Sequence, residues 1–167
     1  GYVKLLDFAG VANGSFPLGA LIYDGTFLYG TTSGGGTGNV GTVFKIKNDG
    51  SDFAKLFNFT GTNGREPFGE LVSDGTFLYG TTSRGGPAFD GTIFKIKPDG
   101  TGFTKLLDFD ENINGHRLYG SLIYDGAFLY GMTYLGIGSA SGSIFKITPD
   151  GTHTVLCNLA TYTDGAL

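Results

Sequence analysis

Residues 71–83 read LVSDGTFLYGTTS. Nearly the same string occurs at 21–33 as LIYDGTFLYGTTS and at 122–134 as LIYDGAFLYGMTY. Self-similarity at a spacing of about fifty residues is the signature of a repeat architecture. Each copy holds two apolar runs separated by Asp-Gly. That pair indicates a β-hairpin, because glycine accepts a positive φ and aspartate tolerates one.

Two further blocks follow in each copy. In the first block, apolar and charged residues alternate before a second Asp-Gly turn. It reads GTVFKIKNDG at 41–50, GTIFKIKPDG at 91–100 and GSIFKITPDG at 142–151. The second is a short apolar run, and reads KLFNF at 55–59, KLLDF at 105–109 and, more loosely, TVLCNL at 154–159. Each unit thus holds four short runs rich in β-branched and aromatic residues, as strands prefer.

Four antiparallel strands in each of three units predict an all-β fold. We expect a β-propeller-like array of three four-stranded antiparallel blades of about fifty residues each, with a β-trefoil as the alternative. The chain reads as one repeat domain over 1–167, with blades at about 15–64, 65–115 and 116–167.

Both ends of the chain contain parts of further units. The block KLLDF at 4–8 predicts a surplus strand at 3–8, and Gly165-Ala166-Leu167 matches the start of a unit. Open edges of a propeller must be covered. We therefore expect self-association, either as two copies closing a ring or as part of a longer array, with the surfaces at 3–8 and 153–159 covered by other protein.

Composition limits the classes of partner. Glycine supplies 31 of 167 residues, far above the usual share of about 7%, which fits many tight turns. The net charge is −4 and the lysines are dispersed, so we expect no nucleic-acid partner. No apolar run approaches the roughly eighteen residues of a membrane helix, so we expect no membrane insertion. The single Cys157 is expected to be a small buried residue.

The blocks LYGTTS, GTxFKI and KLLDF, with Asp-Gly turns between them, resemble the bacterial GloVer tandem-repeat family over nearly the whole chain. The third copy departs from the pattern at Met132 and Tyr134. The resemblance implies propeller-like structure and a secreted, extracellular or cell-surface location. It implies no catalytic residues, because the function of the family is largely uncharacterised.

Two sets of repeated residues carry expectations about packing. The glycine of each LYGTT block, at Gly30, Gly80 and Gly131, should lie where units approach closely or a strand bends. The apolar residues of each third strand should pack between blades, with the intervening lysines on the other face; they are Phe44, Ile46, Phe94, Ile96, Phe145 and Ile147.

The connections differ in length, and this difference predicts where a ligand binds. In an antiparallel meander the short Asp-Gly turns share one end, and the longer second-to-third-strand and inter-unit loops share the other. Function usually lies on loops held by a rigid scaffold. Residues on these loops that differ between copies are the candidate ligand contacts: Arg65, Glu66, Arg84, Phe89, Asp90, His116, Arg117 and Tyr134.

A calcium site is a weaker hypothesis on the same loops. Asp110, Asn112 and Asn114 match the opening of a calcium-binding loop. The acidic residue expected at its twelfth position is replaced by Ser121, and that position largely sets affinity. We otherwise expect no cofactor.

Three functions fit these features. The first is a non-catalytic extracellular module for binding or adhesion, with a glycan or protein ligand. The second is a structural array that self-assembles into a ring or filament. The third is a polysaccharide-active enzyme, which we rank below the others because the sequence lacks an asymmetric set of acid, base and orienting residue.

Overall fold

The computed structural model describes residues 1–138 and 140–159. These residues form three antiparallel sheets, each of four strands in sequential order, and contain no helix that could cross a membrane. The first sheet contains β1 Ile22–Tyr23, β2 Phe27–Thr32, β3 Thr42–Lys47 and β4 Ala54–Asn58. The second contains β5 Val72–Ser73, β6 Leu78–Thr82, β7 Thr92–Ile96 and β8 Thr104–Asp108. The third contains β9 Ile123–Tyr124, β10 Leu129–Thr133, β11 Ser143–Ile147 and β12 His153–Asn158. The predicted all-β, propeller-like array is confirmed.

The turn between the first two strands is held by its aspartate. In the second sheet, the carboxylate of Asp74 accepts hydrogen bonds from the amides of Thr76 and Phe77, both at 2.7 Å. The hydroxyl of Tyr79 donates to the other carboxylate oxygen at 2.7 Å. Burial opposes ionisation of Asp74, yet these hydrogen bonds lower its pKa. The tyrosine of LYGTT therefore anchors the turn that precedes it.

An aromatic triad lies at each junction between neighbouring sheets. Phe59, which follows β4, meets Phe94 and Phe103 of the second sheet with ring centroids 5.2 and 6.2 Å apart. Such rings prefer edge-on or offset contacts. Phe109, Phe145 and His153 form the equivalent triad at the second junction. The predicted packing residues are all buried: Phe44, Ile46, Phe94, Ile96, Phe145 and Ile147.

The predicted surplus strand at 3–8 is wrong, because these residues form no strand. In each sheet the fourth strand pairs only with the third, and the third strand of each described sheet already pairs with its own fourth strand. The segment still lies where a fourth strand would lie. Phe8 meets Phe44 at 5.2 Å, the distance at which Phe59 meets Phe94.

The LYGTT glycines are crowded by their own unit, and not by a neighbouring unit as one part of the prediction expected. Gly80 pairs with Phe94 across β6 and β7. A Cβ atom on Gly80 would lie 2.6 Å from Cζ of Phe94 and 2.8 Å from Cδ2 of Leu71. The close approach between blades falls at a different glycine. A Cβ atom on Gly69 would lie 2.7 Å from the carbonyl oxygen of Gly120.

The outer face of the third sheet is partly uncovered. Ile123 is 70% exposed and Ile144 36% exposed, whereas Ile93, the counterpart of Ile144 in the second sheet, is fully buried. Cys157 pairs with Ile144 across β11 and β12 and is also exposed. The expectation of a buried cysteine is therefore wrong. We call this surface the open face, and it comprises Ile123, Tyr130, Met132 and Ile144.

His153 introduces a titratable ring into the second triad. It contacts Phe145 and Phe109 at centroid distances of 5.3 and 5.9 Å, in the place that Phe103 holds at the first junction. Burial lowers the pKa of His153 from 6.5. The unfolded chain therefore binds more protons than the folded chain between the lowered pKa and 6.5.

We expect the free energy of unfolding to fall as the pH drops through about 6.5 toward the lowered pKa of His153. His153→Phe should remove this component, because the triad then holds three phenyl rings. Thermal unfolding followed by circular dichroism between about pH 7.5 and 5.5 measures both slopes. Identical pH dependence in the two proteins would show that His153 does not carry the effect.

Candidate functional site

The longer loops meet at one end of the array, as predicted. Each inter-unit loop is bridged to the loop between the second and third strands of its own unit, by the pairs Ser15 with Gly34, Arg65 with Arg84, and His116 with Leu135. We call this end the loop face. It comprises residues 9–19, 33–41, 60–69, 83–91, 110–120, 134–138 and 140–142.

One residue in each inter-unit loop has left-handed backbone geometry without being glycine. These equivalent residues are Phe16, Glu66 and Arg117, with φ of 57°, 56° and 61°. Neighbouring loops hold two of them: the amide of Glu66 donates to the carbonyl of Val40 at 2.8 Å, and that of Arg117 to the carbonyl of Asp90 at 2.9 Å. Such conformations cost about 1–3 kcal/mol and cluster at functional sites. The backbone conformation at this position is therefore the same in all three units, while the side chain differs.

Three predicted residues form one charged group. The guanidinium of Arg65 lies 2.8 Å from one carboxylate oxygen of Glu66, and that of Arg84 lies 3.6 Å from the other. The Glu66 side chain is only 22% exposed. The group carries one net positive charge, and the Glu66 carboxylate is already paired on both oxygens.

Two of the remaining candidates connect one loop to another through hydrogen bonds. A carboxylate oxygen of Asp90 accepts the amide hydrogen of Glu111 at 3.0 Å, so Asp90 ties the loop between β6 and β7 to the inter-unit loop that follows β8. His116 is bridged through its backbone to Leu135. Phe89 stands apart from these groups, with φ of 63° and 67% of its surface exposed.

Tyr134 belongs to a row of aromatic rings. Phe68, Tyr119 and Tyr134 follow one another with centroid distances of 5.7 and 5.5 Å. Tyr134 is 60% exposed and Tyr119 is 44% exposed. Tyr119 and Tyr134 also line a cleft of about 250 Å³ together with Met132 and Ser141. We call these three rings the aromatic row.

Sequence reasoning found Tyr134 but missed Phe68 and Tyr119. Both precede the repeated glycines Gly69 and Gly120 and read as ordinary apolar residues of the repeat. A usable signal was their variation, since Leu18 holds the same position in the first unit.

The calcium candidates use their oxygens within their own loop. One carboxylate oxygen of Asp110 accepts the amide hydrogen of Asn112 at 2.8 Å, and the side-chain oxygen of Asn114 accepts that of Asp110 at 2.8 Å. Asn63 makes the equivalent bond to Thr60 in the preceding unit, which marks Asn114 as a turn-forming residue. Residues 1–138 and 140–159 hold no group of three His, Cys, Asp or Glu side chains suited to a metal. Calcium binding stays a prediction.

Known proteins support the fold. The chain resembles a solved structure titled "Crystal structure of Nidogen/Laminin Complex", with 21% identity and a TM-score of 0.57 over 82% of this chain and 46% of that one. It also resembles the structure of the tricorn protease, with 16% identity and a TM-score of 0.53 over 86% of this chain and 13% of that one. The chain thus spans less than half the length of either match, and at these identities the likeness concerns the fold alone.

No curated protein sequence matches the chain. The family described as the Gloeobacter/Verrucomicrobia repeat matches residues 1–167. That match agrees with the resemblance of the LYGTTS, GTxFKI and KLLDF blocks. The chain belongs to the Gloeobacter/Verrucomicrobia repeat family.

Proposed function

We propose that the chain is a non-catalytic extracellular or cell-surface binding module whose loop face takes a glycan. The aromatic row carries this proposal. Phe68, Tyr119 and Tyr134 are neighbouring rings on a rigid scaffold, and the two tyrosines are substantially exposed. Tyrosine offers an apolar ring for stacking and a hydroxyl for hydrogen bonding, and both suit a sugar. A protein ligand is the alternative.

The acidic side chains of the loop face support a non-catalytic role. Glu66 is paired with two guanidinium groups. Asp90 and Asp110 each accept a backbone amide hydrogen. A general acid or base needs a carboxyl group free to reach the substrate, so these three residues serve better as parts of the scaffold.

We expect Tyr134→Ala to weaken glycan binding about tenfold or more, because aromatic anchors dominate the energy of many binding surfaces. A carbohydrate array would identify the ligand, and calorimetric titration would measure Kd for the wild type and the variant. Tyr2→Ala is the matched control, since Tyr2 is 91% exposed and lies outside the loop face.

Three results would count against this proposal. Unchanged affinity in Tyr134→Ala would remove the aromatic row as the site. Absence of binding to any carbohydrate on the array would favour a protein ligand. Release of reducing sugar from a bound polysaccharide would indicate the enzyme alternative.

Self-assembly is a second candidate function, favoured by the open face. The equivalent surface of the second sheet, which includes Ile93, packs on Phe145 and Ile147 of the third. The matching side of the first sheet carries Phe44 and Ile46. We propose that the open face docks there on a second copy. Residues 3–8 occupy the place of a fourth strand, so the incoming β12 must displace them.

Light scattering tests self-assembly directly. We expect a mass of two or more chains, a larger assembled fraction when residues 1–8 are deleted, and dissociation by Ile144→Asp, which places a charge on the open face. A monodisperse species of 17.5 kDa, the mass of one chain, would contradict this second function and leave the binding proposal untouched.

A further inference from the structure

A second cavity lies at the end opposite the loop face, between the first and second sheets. Its volume is about 660 Å³, within the range of about 300–1,000 Å³ that small-molecule sites occupy. Asp24, Gly75 and Pro98 line its rim, and all three belong to short turns between strands. None of the candidate ligand contacts lies here.

The cavity exists because one ring of the repeat is missing. Tyr23 and Tyr124 occupy equivalent positions in the first and third units, where the second unit has Ser73. At the second junction, Tyr124 packs against the core that contains Tyr79 and Leu129. At the first junction Ser73 stands in that place and lines the cavity instead.

A second departure from the repeat lines the same cavity. Glu70 replaces Ala20 of the first unit and Ser121 of the third. Its amide donates to the hydroxyl of Ser121 at 2.9 Å, which fixes its backbone. Within residues 1–138 and 140–159, its carboxylate has neither a hydrogen-bond partner nor an ion-pair partner. Two changes that are unique to the second unit therefore meet at one site.

The lining defines the chemistry of a ligand. Its lining includes the apolar residues Ile22, Leu71 and Val72 and the aromatic Tyr23, and the described lining residues include no lysine, arginine or histidine. Among the described residues, the acidic groups that line it are Asp24 and Glu70. Burial opposes ionisation of Asp24, but hydrogen bonds from Phe27 and Tyr29 lower its pKa, so it is charged at neutral pH.

We propose that this cavity binds a small organic cation, namely an amine with an apolar body. The ammonium group would lie near the Glu70 carboxylate, and the apolar body would take the space left by Ser73, against Ile22 and Leu71. Aromatic rings also attract cations, and Tyr23 supplies one at the rim. This site is independent of glycan binding at the loop face.

Hexylamine and 1-hexanol, which differ mainly in charge, are suitable probes at constant ionic strength. We expect hexylamine to cause saturable NMR shifts at the amides of Val72 and Ser73, and 1-hexanol to bind at least tenfold more weakly. Glu70→Ala and Ser73→Tyr should each reduce hexylamine affinity at least tenfold. Both variants introduce residues that the repeat already has at equivalent positions, so the fold should be retained, as an unchanged unfolding midpoint would verify.

Glu111→Ala is the matched control, because it removes an exposed acidic group from the loop face and should leave hexylamine affinity unchanged. Absence of saturable shifts would overturn the proposal. Equal affinity for 1-hexanol would show that no cation is recognised. Unchanged affinity in Glu70→Ala or Ser73→Tyr would place the binding elsewhere.

Discussion

Phe94→Ala is expected to reduce the free energy of unfolding by about 3–5 kcal/mol. Phe94 is fully buried and meets both Phe59 of the first sheet and Phe103 of its own. Removing its ring leaves a cavity at the junction between two sheets. That loss is a large share of the roughly 5–15 kcal/mol by which domains are stable.

Chemical denaturation of the wild type and two variants measures this effect. Phe89→Ala removes the same side chain from the loop face, where the ring is 67% exposed, and should change the free energy of unfolding by less than about 0.5 kcal/mol. Equal losses in Phe94→Ala and Phe89→Ala would refute the assignment of Phe94 to a junction.

Gly80→Val should also destabilise the protein, by about 1–3 kcal/mol, because overpacking a filled core forces neighbours out of their positions. The new Cβ would lie 2.6 Å from Cζ of Phe94. Phe94 is fully buried, so its ring has no solvent-facing space to enter.

Gly120→Val is the matched control, since a Cβ atom on Gly120 would have nothing within 4 Å. Its midpoint of thermal unfolding should stay close to that of the wild type, while that of Gly80→Val should fall by several degrees. A midpoint for Gly80→Val equal to that of Gly120→Val would mean that the strand has room at Gly80.

Local signals predicted most of the fold. Each Asp-Gly pair marked a turn, and the alternation around Phe94 and Ile96 identified the face that packs on a neighbouring sheet. Residues 3–8 match the repeat as well as β8 does, yet form no strand, because pairing depends on a partner that sequence similarity cannot supply.

The candidate site was predicted only in part. Arg65, Glu66 and Arg84 were expected on the loop face, but their ion pairing depends on how two loops meet. Tyr119 was missed because its position in the repeat is apolar in every unit. The exposure of Cys157 follows from the uncovered open face, which is a property of blade packing rather than of the local sequence.

Variation between units also marks candidate site residues outside the long loops. Glu70 and Ser73 differ from the other units, but lie on or beside the short innermost strand β5 rather than on a long loop. The strand registers alone would not have shown that these two changes meet beside Tyr23 of the preceding unit.

The central claim is that successive four-stranded sheets pack face to face through the repeated aromatic triad. NMR with selectively labelled phenylalanine tests it most directly, through nuclear Overhauser effects between Phe59 and Phe94 and between Phe57 and Phe103. Phe57 and Phe103 come from different sheets and stack with centroids 3.7 Å apart. We expect strong cross-peaks for both pairs. Their absence in a folded protein with the predicted strands would contradict the packing of the blades.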